Sequence, residues 1–276
     1  MVETPRPEEK VAAHYGAADL HDRIIAALAS EGIAEAAVTL EHLKMVDEFH
    51  IGGAAATEAL LDPLGFAPGT RVLDIGSGIG GPARFMASRY GARVTGIDLT
   101  PSFVETARRL TALVGLEAEF RVGSALDLPF ADGAFDAATL LHVGMNLPDK
   151  TRLFAEAARV LAPDGVFAVY DVMLFGAHPA FPLPWAGGPG ESFLARPEDY
   201  LAAARAAGFA PLLRRDRGAV AVAFFAAMQA RMAAQGPGAV GLPILMGAEA
   251  PRKVANMVAA VGAGDIEPVE MVFRKD

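Results

Sequence analysis

The chain has 276 residues, 53% of them apolar, a formal charge of −9 and no cysteine. That length suits one or two domains. The missing cysteines exclude disulfides, thiolate metal sites and cysteine nucleophiles, and the acidic balance argues against a general nucleic-acid binder.

The first ten residues, MVETPRPEEK, are polar with no apolar core behind them. They do not read as an export signal; the first eight or so read as a mobile tail, and the cytoplasm is the expected location. Residues 9–66 carry Ala- and Leu-rich helical segments around Leu20–Ser30, Leu40–Met45 and Ala54–Leu64, so residues 1–66 are expected to form a helical cap. From residue 67 short apolar runs alternate with amphipathic ones. Strands are expected at Arg71–Ile75, Arg93–Asp98, Glu119–Val122, Phe135–Leu141 and Gly165–Met173. The helix Pro82–Tyr90 has Pro at its first position and Gly91 just past its end. Thr100 is placed to cap the next helix, which runs to about Gly115. Asp149 caps another that stops before Pro163. Strands alternating with helices of this length imply a parallel sheet with helices on both faces. A Pro/Gly-rich loop then leads to the helix Pro197–Ala207 and the strand Phe209–Arg215. Two helices, near Val220–Ala234 and Pro251–Val261, interrupt what would be a hairpin with the terminal strand IEPVEMVFRK. The expected fold is α/β and Rossmann-like over residues 67–276. It has a seven-stranded, mostly parallel sheet with an antiparallel last strand, and a helical lid insertion at about 218–263. No stretch approaches the roughly 20 apolar residues of a membrane span.

The first strand opens into VLDIGSGIGG, Val72 to Gly81. Glycines before a helix N-terminus let a ligand approach the backbone closely. Gly76, Gly78 and Gly81 satisfy the GxGxxG spacing of a dinucleotide site. Asp98, ending the second strand, stands where an acid binds ribose hydroxyls. On these residues alone, an NAD(P)-dependent oxidoreductase and a tight turn without a ligand both remain open.

Four stretches in order carry a more specific signal: VLDIGSGIGG, VTGIDLTPSFVETA, GSALDLPFADGAFDAATLLHV and EAARVLAPDGVFAVYD. Over residues 71–171 the chain resembles the class I S-adenosylmethionine (SAM)-dependent methyltransferases. With PEDYLAAARAAGF it looks most like their small-molecule group, which includes glycine/sarcosine-type N-methyltransferases and quinone or tocopherol C-methyltransferases. The resemblance implies in-line transfer of a methyl group from SAM to a small-molecule acceptor, without a metal, with S-adenosylhomocysteine (SAH) as product. It implies that Gly76, Gly78 and Gly80 lie under the methionine portion and that Asp74 reaches its ammonium. Asp98 would accept from both ribose hydroxyls, as a carboxylate can, and Leu99 would pack on the adenine. Relatives often have Gly-Asp-Ala where this chain has Gly123-Ser124-Ala125. Ser124 accepts without charge assistance, so the backbone near Ala125 and Leu126 is expected to share adenine recognition. A homodimer is expected by analogy.

On the acceptor side, DEFHIGG (Asp47 to Gly53) places a His and two glycines after an apolar helical region. The resemblance puts His50 and Gly52 at the active-site mouth, against the alternative of a helix–helix turn with a locally bonded His. Tyr15 is a second candidate for closing the site. His142 follows the fourth strand, at the sheet end where open α/β sheets bind ligands, and Met145 and Asn146 accompany it as pocket residues. Trp185, the only Trp, and the lid's Phe224, Phe225, Met228, Met232, Met246 and Met257 are expected to wall the substrate. If the acceptor is a hydroxyl, His142 and His50 are the candidate general bases, with Asp171 as a further one. No HExxH spacing or other metal-ligand cluster is present. Two rival functions stand beside this one: a non-catalytic methyltransferase-like binding protein, and the oxidoreductase.

Overall fold

Glycine and proline punctuation divides the chain into the elements of an alternating α/β fold. The computed structural model describes residues 19–236, 241 and 243–276. Helices α1 (Leu20–Ser30), α2 (Leu40–Asp47) and α3 (Gly53–Leu61) come first. Then alternate β1 (Arg71–Ile75), α4 (Gly81–Tyr90), β2 (Arg93–Asp98), α5 (Pro101–Leu113), β3 (Glu119–Val122) and β4 (Phe135–Leu141). They continue with α6 (Lys150–Val160), β5 (Leu161–Leu174), α7 (Pro197–Ala206) and β6 (Phe209–Asp216). Helices α8 (Gly218–Gln235), α9 (Pro243–Met246) and α10 (Ala250–Gly262) lie between β6 and β7 (Ile266–Lys275).

The seven strands form one sheet in the order β3-β2-β1-β4-β5-β7-β6. Strands β1 to β5 pair in parallel, and β7 is antiparallel to both β5 and β6. The strand order reverses between β1 and β4, which opens a crevice beyond their carboxyl ends. Strand β1 reads as an unbroken apolar run apart from one acid because both of its faces are covered. Leu73 and Ile75 pack with Leu153 and Phe154 of α6 and Tyr200 of α7. Val72 packs on the other side with Met86 of α4, Val104 of α5 and Leu60 of α3. The N-terminal helices therefore belong partly to the sheet's own core. A further cluster joins Leu20, Ile24 and Leu28 of α1 to Phe103 and Leu110 of α5. Helices α8 and α10 contribute Ala221, Phe225, Met257 and Val261 to a cluster that includes Trp185 and Val172.

Local chemistry sets most boundaries. Asp149 caps α6 by accepting from Arg152 N at 2.8 Å. Helix α4 starts at Gly81, one residue before the expected Pro82, because Gly80 already takes the left-handed conformation at its N-cap. Thr100 is the N-cap of α5 but makes no side-chain capping bond; Asp98 Oδ1 accepts from its N–H instead, at 2.8 Å. Strand β5 is longer than expected at its start, since Leu161 pairs with Phe135 directly after α6 ends. The short helix α9 has no sequence periodicity to announce it. Tyr15 lies outside the described residues.

Helix α2 is locked to the sheet by a buried ion pair. Arg84 of α4 is fully buried and donates from both Nε and Nη2 to the Asp47 carboxylate, and from Nη1 to Thr111 Oγ1 at 3.0 Å. Desolvation raises the Asp47 carboxyl to about 6, against the field of Arg84. Breaking one partner of such a pair leaves an uncompensated buried charge. We therefore expect Asp47→Ala to cost about 3–5 kcal/mol in urea unfolding. Adding Arg84→Met should recover part of that loss, because the stranded cation is then removed.

Candidate active site

The glycine turn after β1 is shaped by three separate demands. Gly76 N and Ser77 N both donate to Ile97 O, at 2.7 and 3.0 Å, which folds the turn onto β2. A Cβ on Gly76 would lie 2.3 Å from Val143 Cγ2, and its φ is +73°. Gly78 has φ +52° and nothing within 4 Å of where a Cβ would stand, so its backbone borders open space. Its N–H donates to Asp98 Oδ2 at 2.9 Å. Asp98 thus spends one lone pair per oxygen on the backbone, with Thr100 as the second donor, and keeps acceptor capacity. Burial raises its carboxyl above the ordinary range, against those backbone bonds.

These residues border a cavity with about 1010 Å³ of empty space. Asp74, Gly76, Gly78, Asp98, Leu99, Ser124, Ala125, His50, His142 and Asn146 all line it. Two expected cofactor residues do not. Gly80 points into the fold, where a Cβ would lie 2.8 Å from both Arg84 Nη1 and Phe120 Cζ; it is glycine for packing. Leu126 is turned away because its N–H donates to Ser124 Oγ at 3.0 Å and its carbonyl accepts from Arg152 Nε at 2.8 Å.

Asp74 is the most unusual group in the cavity wall. It is 2% exposed. Its Oδ1 accepts from Thr139 Oγ1 at 2.8 Å, while its buried Oδ2 has no hydrogen-bond partner. Burial, reinforced by the nearby Glu48 and Asp98 charges, pushes its carboxyl up to about 7, although the Thr139 bond opposes this. Such an oxygen awaits a donor.

A second cavity, with about 540 Å³ of empty space, adjoins the first. Phe49, His50 and His142 line both. Met145 and Trp185 line only the second, together with Phe224, Phe225, Met228, Met246 and Met257. Met232, also expected in the lid wall, is instead half exposed and absent from the lining. Gly52 lines neither cavity; it is the left-handed N-cap of α3, packed on Ala56.

His142 has φ +56°, rare for a side-chain-bearing residue. Its N–H donates to Tyr170 O at 2.6 Å, which pins the turn after β4. Its Nε2 is buried without a protein partner. Burial and the neighbouring His50 hold the ring well below its usual titration range, so it is neutral at physiological pH. The His50 ring lies 5.6 Å away. His50 Nε2 is 2.7 Å from Glu48 Oε2 and 2.9 Å from Thr57 Oγ1, and Thr57 also donates to Glu48 Oε2 at 2.8 Å. Burial works against the Glu48 charge, but the His50 and Thr57 hydrogen bonds outweigh it and keep the carboxyl below its ordinary range. Sequence reasoning missed Glu48 and Thr57. Glu48 sits two residues before His50, yet nothing in that spacing announces a contact; Thr57 arrives through the turn into α3. Asp171 belongs elsewhere: it is fully buried, accepts from Tyr200 O–H at 2.5 Å and from Val172 N at 3.0 Å, and lines neither cavity.

The chain is similar in sequence and fold to known proteins. Residues 73–169 match the family model described as "Methyltransferase domain". The 2-methyl-6-phytyl-1,4-hydroquinone methyltransferase of Synechocystis is 43% identical over 104 residues, covering 38% of this chain and 32% of that protein. The chain thus spans about a third of that relative's length. The cyclase SpnF is similar along almost the whole chain, with 25% identity, 99% and 98% coverage and a TM-score of 0.65. A geranyl diphosphate methyltransferase solved in complex with SAM shares the fold at 21% identity, with 80% and 85% coverage and a TM-score of 0.63. The fold is that of a Rossmann-like α/β domain with its crevice at the reversal of strand order. Residues 73–169 are thus similar to a methyltransferase domain, and the fold is shared with a methyltransferase solved in complex with SAM.

The Thr139 hydrogen bond can be tested alone. Thr139→Val keeps the shape but removes the donor to Asp74. We expect a loss of about 1–3 kcal/mol of stability and an Asp74 titration moved above about 7, read by carbon NMR of the carboxyl.

Proposed function

We propose that the protein transfers a methyl group from SAM to a small-molecule acceptor, with SAM in the first cavity and the acceptor in the second. The observation that carries this reading is the charge of the first cavity. Asp74 and Asp98 line it, as does Asp47, whose charge is paired with the buried Arg84, and among the described residues no Lys or Arg lines it. A dinucleotide brings a diphosphate, which such a wall repels. SAM brings an ammonium, a sulfonium and a ribose diol, which it attracts.

The residues present fit that group. The unpartnered Asp74 Oδ2 receives the ammonium. Asp98 uses its remaining lone pairs for the ribose hydroxyls, and Gly78 leaves the backbone open to the methionine portion. Leu99, Ser124 and Ala125 border the adenine side. SAM supplies a methyl group on a positively charged sulfur. The chain's own task is to bring an acceptor atom into line with it and keep water out. Phe49, His50 and His142 stand where the two cavities meet. His142, neutral with a bare Nε2, takes a proton from the acceptor; His50 is held in place by Glu48 and Thr57.

Further parts of the reading are an N-terminal cap over residues 1–66, a lid at about 218–263, a cytoplasmic location and a homodimer. It includes no nucleic-acid or membrane partner. The acidic balance supports the first exclusion. For the second, no helix of the described residues is long and apolar enough to cross a membrane. The full-length similarity to a cyclase favours a second reading, in which the SAM site is kept and the second cavity hosts a different reaction. Saturable SAH binding with no methyl transfer to any acceptor would select it.

Calorimetry with SAH tests the cofactor. Binding should be saturable, absent for NADH and lost in Asp98→Ala. Asp74 must be ionised to hold an ammonium, and its carboxyl titrates at about 7 in the free protein. SAH affinity should therefore be level above that pH and fall roughly tenfold per unit below it. Asp74→Asn should lower affinity and flatten this dependence. For the base, His142→Ala should lower turnover by about 10²–10⁴ while SAH affinity stays within twofold; unchanged turnover in both His142→Ala and His50→Ala would remove general-base catalysis from the mechanism.

A further inference from the structure

The second cavity differs from the first in one respect above all. The first is walled by acids; the second holds no Asp, Glu, Lys or Arg among the described lining residues. Its floor and lid are Met145, Trp185, Phe224, Phe225, Met228 and Met257. Trp185 has no hydrogen to offer a ligand, because its Nε1 donates to Ser192 Oγ at 3.0 Å. The Met residues add polarisable surface that adapts to irregular shapes. The lining's polar side chains are His50 and His142. His50 Nε2 is already bonded to Glu48 and Thr57. That leaves His142 Nε2, buried and unpartnered, at the wall shared with the first cavity.

A charged acceptor entering this space would lose its hydration and gain no counter-ion. A zwitterionic amino acid or a phosphate ester would be excluded on that ground alone. An apolar body would gain roughly 25 cal/mol for each Å² removed from water.

Resting on the methyltransferase reading above, we propose that the acceptor is an uncharged, predominantly apolar molecule that presents one hydroxyl, alcoholic or phenolic, to His142 Nε2. In the transfer step the hydroxyl oxygen forms the bond to the methyl carbon as the carbon–sulfur bond breaks. The electron pair of that bond stays on sulfur, giving neutral SAH, and the hydroxyl proton passes to His142 Nε2. The buried His142 ring is neutral, so the Nε2 lone pair is available to accept. Glu48 and Thr57 keep His50 from competing for the hydroxyl, which makes them positioning residues.

Because Trp185 is the only Trp and lines this cavity, its fluorescence reports occupancy without any turnover. The experiment titrates SAH-loaded protein with 4-pentylphenol, with its anionic analogue 4-pentylbenzenesulfonate and with sarcosine. The phenol should shift or quench Trp185 emission saturably, while the sulfonate and sarcosine bind at least tenfold more weakly. Met228→Arg, which brings a cation to the lid wall, should weaken the phenol about tenfold and tighten the sulfonate, with SAH affinity unchanged. With SAM in place of SAH, His142→Ala should lower methyl transfer to the phenol by about 10²–10⁴ while leaving the fluorescence titration of the SAH-loaded protein nearly intact. If SAH binds normally but the charged probes bind as tightly as the phenol, or the phenol leaves Trp185 emission unchanged, the acceptor class is overturned and the cofactor reading survives. If SAH itself fails to bind, the methyltransferase reading falls and this proposal falls with it.

Discussion

A sheet buried on both faces leaves a ligand one place to meet polar backbone, the carboxyl ends of its strands at the reversal of strand order. Here that reversal lies between β1 and β4. Both strands end in left-handed turns, at Gly76 and at His142, and the two turns touch: Val143 occupies the space a Gly76 side chain would need. The first cavity, its junction with the second and the strained histidine all follow from this one contact. A side chain on Gly76 would push the β4 turn, and with it His142, out of place.

The crevice sorts charge along its length. At the β1–β2 side, carboxylates are buried at the expense of their own ionisation, Asp74 most of all. Beyond β4 and β5 the walls become aromatic and Met-rich, closed by helices inserted between the last two strands. On the proposed reading, a cation with a diol occupies one end and an apolar body the other. The histidines stand where the two meet. Domain likeness alone would not separate these halves, since the matching model covers residues 73–169 and helices α8 to α10 lie outside it.

Stability and site are coupled through α2. The buried Asp47–Arg84 pair anchors the end of that helix on α4, and of the next three residues Phe49 and His50 line both cavities while Glu48 bonds to His50. Gly81 is required for the same docking, because a Cβ there would come 2.1 Å from Asp47 O. The N-terminal helices are thus held by an ion pair that is expensive to bury, rather than by apolar contact alone.

Local signals in the sequence determined the strand–helix alternation, the glycine turn, the acid ending β2 and the Asp149 cap, because backbone conformation and both-face burial leave marks on consecutive residues. They also sufficed to single out His50, His142 and Trp185 as worth placing. Only the tertiary structure decided which glycines border open space. Gly76, Gly78 and Gly80 look alike in the motif, yet Gly80 serves packing against Phe120 while Gly78 faces the cavity. Leu126 was misplaced for a similar reason, since its backbone is consumed by Ser124 and Arg152, the latter 26 positions away. The Glu48–His50–Thr57 cluster, the unpartnered oxygen of Asp74 and the uncharged lid cavity were likewise invisible beforehand. Each depends on what a side chain meets, or fails to meet, across distant segments, and a linear pattern records only neighbours along the chain.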